Sequence, residues 1–97
     1  MIEIRRTDIF DQWMAGLRDV AARARILKRI GRLGAGNMGD AKPVGGGVSE
    51  LRFTFGRGYR VYFTRRGDRI LLLLCGGDKS SQGKDIARAK ALAKEVE

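Results

Sequence analysis

Arg52, Arg60 and Tyr62 stand at one parity of two segments that alternate polar and apolar residues, and Glu50, Thr54 and Thr64 share that parity. If the segments are paired strands, all of these side chains project from one sheet face, because successive residues of a strand point to opposite sides. Guanidinium forks hold phosphate through paired hydrogen bonds and aromatic rings stack bases, so the set suits single-stranded RNA. Arg52, Arg60, Tyr62 and Lys79 are the candidate catalytic residues. Lys42, Arg57, Tyr59, Arg65 and Gln82 surround them as candidate RNA contacts, with Arg66 adding charge. Alternation of this kind also describes a sheet face that is merely solvated.

Composition narrows the chemistry. The 97 residues contain no His, which removes imidazole zinc sites, His general bases and Ser-His-Asp or Cys-His catalysis. Twenty Lys plus Arg against eleven Asp plus Glu give a formal charge of +9, a field that draws polyanions such as nucleic acid or an acidic protein. Cys75 is the only cysteine, so no internal disulfide and no multi-cysteine metal site is expected, and its apolar neighbours predict a buried thiol. No metal or other cofactor is expected. The opening MIEIRRTDIF lacks the apolar stretch of a signal peptide, and the run Ile70 to Cys75 is too short to span a bilayer. A cytoplasmic protein without membrane contact is the expectation, built as a single domain over 1–97.

The elements that must position these residues are legible in the periodicity. Ile2 to Arg5 alternates as a strand, and Thr7 or Asp8 can cap a helix carrying Ile9, Phe10, Trp13, Met14 and Leu17 at helical spacing. Val20, Ala24, Ile26, Leu27, Ile30 and Leu33 continue the period as a second helix ending near Gly34, the pair forming a helical hairpin. Arg25, Lys28, Arg29 and Arg32 make a second cationic stripe along it. Residues 34–47 hold six Gly and the only Pro and predict an irregular exposed loop. Its GAGNMG matches a dinucleotide-binding fingerprint in letters alone, since that motif must follow a strand and open a helix.

Three strands follow at hairpin spacing. Leu51, Phe53 and Phe55, then Tyr59, Val61 and Phe63, face the core, and Ile70 to Cys75 is apolar at both parities, as in a strand covered on both faces. A last helix runs from Gln82 to Val96 through Ile86, Ala89, Leu92 and Ala93, capped by Ser80 or Ser81. The fold class is α+β: an N-terminal strand, a helical hairpin, an antiparallel three-strand meander and a C-terminal helix.

GNMGDAK at 36–42, GVSELR at 47–52, GRGYRVYF at 56–63 and LLCGGDKSSQ at 73–82 followed by KDI resemble the HigB-like, phage-derived addiction-module killer branch of the RelE/ParE toxin superfamily. The resemblance covers nearly the whole chain, including Phe10 and Trp13. It implies a RelE-like fold and the toxin of a type II toxin-antitoxin pair, an endoribonuclease that cuts mRNA on the ribosome and so inhibits translation. It also implies a cognate antitoxin, a small helix-turn-helix protein, as partner. Cleavage by a 2′-hydroxyl needs a base, an acid for the leaving 5′-oxygen and cations around the phosphorus. Arg52 and Arg60 suit the phosphate, Tyr62 suits stacking or proton transfer, and Lys79 suits the acid or a second clamp. Asp78 and Glu50 are the candidate bases. A ParE-like inhibitor of DNA gyrase and a non-catalytic RNA-binding protein are the alternatives.

Overall fold

The computed structural model describes residues 2–95 of the chain. Strand β1 (Glu3–Arg6) leads into α1 (Asp8–Gly16) and α2 (Val20–Gly34). Strands β2 (Ala41–Gly45), β3 (Val48–Arg52), β4 (Arg60–Arg66) and β5 (Ile70–Gly77) follow, then a 3₁₀ turn (Lys79–Ser81) and α3 (Gln82–Glu95).

Local chemistry sets the helix starts. The Thr7 hydroxyl accepts from the Phe10 amide at 3.0 Å and donates to the Leu74 carbonyl, so the cap of α1 is tied to β5. Asp19 caps α2 by accepting from the Ala22 amide. α2 runs through Gly34 to a cap at Ala35, and Gly36 follows at φ +90.

The strands form one mixed five-stranded sheet in the order β1-β5-β4-β3-β2. The expected meander of β3, β4 and β5 is the antiparallel centre of this larger sheet, with β1 added parallel to β5 and β2 antiparallel to β3. Alternation in Ile2 to Arg5 marks a strand but carries no information about a partner nearly 70 residues away, Ile4 opposite Leu71. The expectation of an irregular loop over 34–47 is corrected by β2. Pro43 is tolerated there because β2 pairs on one side only, where a missing N–H costs nothing. Gly45, Gly46 and Gly47, all at positive φ, then turn the chain into β3.

Both sheet faces are covered. On one, Phe10 and Met14 of α1 and Ile26, Ile30 and Leu33 of α2 pack over Leu51, Phe53, Tyr59, Val61, Phe63, Leu71 and Leu73. On the other, Ala89 and Ala93 of α3, with Ile86 and Leu92, pack over Val48, Tyr62, Leu74 and Cys75. The register shifts between Tyr62 and Phe63, which pair with Cys75 and Leu73. Leu74 is the bulged residue, so it joins Cys75 in the second core instead of alternating away from it. The apolar character of β5 at both parities reflects this three-layer arrangement.

α3 begins at Gln82, but its approach is capped by Asp78, not by Ser80 or Ser81. Asp78 accepts from the Ser80 amide at 2.8 Å, while the Ser81 hydroxyl reaches on to Asp85. Val96 lies outside the described residues.

Candidate functional site

The site is built where the β3–β4 connection meets the end of β5. Gly56 and Gly58 adopt φ of +59 and +71, which folds residues 56–58 into a tight turn. The Lys79 amide donates to the Arg57 carbonyl at 3.3 Å, tying that turn to the 3₁₀ segment. Arg60 opens β4 and donates through Nη1 to the carbonyls of Gly58 and Tyr59, at 2.7 and 3.2 Å. Thr54, Arg57, Arg60 and Lys79 thereby line one cleft of about 450 Å³, and no carboxylate lines it. Arg57 and Lys79 also border a neighbouring cleft with Asp78 and Ser80. Hydrogen bonds from the Ser80 hydroxyl and amide hold the Asp78 carboxyl below the usual carboxylate range, so it is ionised at neutral pH.

The other predicted positions are placed differently. Tyr62 is fully buried, and its hydroxyl donates to Glu50 Oε1 at 3.2 Å. Gln82 Nε2 donates to the same oxygen at 2.7 Å, and Arg60 Nε lies 3.6 Å from it. Burial first, then the Glu50 charge, pushes the Tyr62 hydroxyl well above its usual range. Tyr62 therefore has no face for a base to stack on and no accessible proton, and Glu50, itself buried, is held at Oε1 by Tyr62 and Gln82 with Arg60 nearby. Parity places these residues on one face correctly, but α3 makes that face a core with a polar centre, neither a solvated surface nor a binding surface. Tyr59 belongs to the opposite core, its ring against Trp13 and Phe55.

Arg52 is paired across the sheet with Arg60, but its guanidinium turns to Asp40 at 3.1 Å. Lys42 is an exposed residue of the edge strand, opposite Glu50 in register. Arg65 is exposed at the far end of β4, five residues or about 17 Å along the strand from Arg60. Arg57, Arg60 and Lys79 converge; Arg52, Lys42 and Arg65 do not join them.

Two features extend the site beyond the cleft of Arg57, Arg60 and Lys79. The cationic stripe of α2 abuts the same connection: Arg25 and Arg29 lie over the rings of Phe55 and Phe53, each 4.9 Å from the centroid, and Arg29 donates to the Arg52 carbonyl. Lys28 and Arg32 share that groove, so residues 53–58 divide two cationic surfaces that the sequence shows as separate. On another side, the α1–α2 connection opens a cleft of about 560 Å³ against the turn, lined by Trp13, Arg18, Asp19, Arg57, Tyr59 and Asp78. Trp13 reads as plain core from its helical spacing, and Arg18 and Asp19 lie between the end of α1 and the start of α2. The one sequence signal for this cleft is Gly76 at the end of β5, where a Cβ would overlap the Trp13 ring.

A small basic α+β protein with a carboxylate-free cationic cleft at the junction of two connections is the class that fold and site define. Within that class the chain belongs to the phage-derived, Gp49-like protein family (DUF891), a family of RelE-like toxin kind whose model matches residues 12–96. It is 50% identical over 95 residues to an uncharacterized protein of Haemophilus influenzae, covering 98% of this chain and 96% of that one.

Proposed function

We propose that this chain is the toxin of a type II toxin-antitoxin module, a HigB-like endoribonuclease that acts on mRNA at the ribosome and arrests translation, inhibited by a cognate antitoxin encoded beside it. The observation that carries the reading is the convergence of Arg57, Arg60 and Lys79 on one cleft without a carboxylate, a surface that fits an RNA phosphate. In this reading the 2′-hydroxyl oxygen attacks phosphorus, the P–O5′ bond breaks, and the cations offset the charge that develops on the phosphoryl oxygens. Lys79 gives a proton to the departing 5′-oxygen and Asp78, the carboxylate bordering the adjoining cleft, receives the 2′-hydroxyl proton. A carboxylate held below its usual range is a weak base, so most of the rate comes from positioning and electrostatics.

Induction of the chain alone should stop growth and abolish incorporation of labelled amino acid within minutes, with new 5′ ends on ribosome-bound mRNA by primer extension. Lys79→Ala and Arg57→Ala should each reduce cutting by about tenfold to a thousandfold, the range for losing one charge-stabilising donor, with unchanged melting temperature. Continued protein synthesis beside a selective fall in DNA synthesis would replace this reading with gyrase inhibition.

A further inference from the structure

The cleft at the α1–α2 connection has a different composition from the cationic one beside it. Half-buried Trp13 supplies the aromatic face, with the edge of the mostly buried Tyr59 behind it, their ring centroids 6.4 Å apart in an edge arrangement. Trp13 is held in place because its ring lies against the backbone of Gly76, where any side chain would collide with it. Arg18 and Asp19 bring a donor and an acceptor to the same opening, while the Asp19 Oδ1 that caps α2 fixes that carboxylate in place. Arg57 and Asp78 border both this cleft and the one holding Lys79. An aromatic wall with a few polar edge groups, opening directly into a cationic cleft, is the arrangement that receives an unstacked base whose phosphate is held next door.

We propose that the cleft of Trp13, Arg18, Asp19 and Tyr59 is a nucleobase pocket that takes the base on the 5′ side of the phosphate bound at Arg57 and Lys79. The assignment rests on the proposed RNA-cutting reading and extends it. With the base against Trp13 and the 3′-phosphate beyond Arg57, the ribose lies at the boundary that Arg57 and Asp78 share, which brings its 2′-hydroxyl toward the Asp78 carboxylate.

Trp13 is the only tryptophan, so its fluorescence reports on this pocket directly. Titration with adenosine 3′-monophosphate should quench it saturably, whereas ribose 5-phosphate and inorganic phosphate should bind without quenching. By calorimetry the nucleotide should bind at least about fivefold more tightly than ribose 5-phosphate, the lower end of what one stacked base contributes. Trp13→Phe, checked for an intact melt, should narrow that ratio, and Asp19→Asn, which keeps the cap, should lower nucleotide affinity without changing affinity for phosphate. Equal affinity for the nucleotide and ribose 5-phosphate, or nucleotide binding that leaves the fluorescence unchanged, would overturn the pocket. Those outcomes accompanied by normal mRNA cutting would leave the toxin reading standing; an absence of both phosphate binding and cutting would remove the two together.

Discussion

Glu50 shows how much a single buried carboxylate organises here. It lies beneath α3 with Tyr62, Gln82 and Arg60 around it, so its cost of desolvation is offset by two hydrogen bonds and a cation. Tyr62→Phe removes one donor and should cost about 1 kcal/mol in urea unfolding. Glu50→Ala strands the Tyr62 hydroxyl and the Arg60 guanidinium and should cost about 3 kcal/mol, the figure for breaking a buried pair. Arg60→Ala leaves Glu50 without its cation, so Arg57 and Lys79 are the cleaner probes of the cleft. The buried groups also set an alkaline limit. Burial raises Cys75 from an ordinary 9.0 to about 11 and shifts Tyr62 the same way. Because both folded-state values are raised and the protonated forms are neutral, both contributions are full below pH 9; that of Cys75 is lost as pH climbs through 11, and that of Tyr62 at still higher pH. Melting temperature should fall across that window, and Cys75→Ala should flatten the early part of the fall. The arginines and Lys79 of the cleft were legible from residue type and from the glycines beside them. The roles of Tyr62 and Glu50 were not, because alternation reports which side a residue faces and says nothing about what covers it.

At the scale of elements, the missing information was the docking of α3. Its inward side is built largely from Ala89 and Ala93, small residues that read weakly as a core-forming stripe yet allow α3 to lie close over the sheet. The three helices and the three central strands follow from period and turn chemistry. β2 did not, since a glycine-rich stretch carrying a proline looks irregular until an edge position excuses the proline. The end of β5 is the tightest junction: Gly76 takes the Trp13 ring on one face and Gly77 takes the Asp85 carboxylate on the other. A Cβ at either glycine overlaps its neighbour, so Gly76→Ala and Gly77→Ala should each destabilise by about 2 kcal/mol, within the range for overpacking. Gly16, the last residue of α1 and in open space, is the control: Gly16→Ala should leave the stability to urea within about 0.5 kcal/mol of wild type.

For the whole molecule, the question is whether a charge of +9 acts as a diffuse field or through a defined surface. Among the described residues, ion pairs form at Arg5, Arg6, Arg52 and Arg60 rather than at the α2 stripe, Arg57 or Lys79. These cations gather around residues 53–58, whereas Arg65 stands about 17 Å along β4 from Arg60, two screening lengths away at physiological salt. A diffuse field would weigh each cation equally; a defined surface would not. Binding of a single-stranded oligoribonucleotide, followed across a salt series, separates the two. The slope of log affinity against log salt should shrink by about 0.7 for Arg57→Ala and again for Lys79→Ala, one phosphate contact each, and stay unchanged for Arg65→Ala. An equal change for all three variants would show that net charge alone holds the RNA, and the cleft would lose its claim to the phosphate.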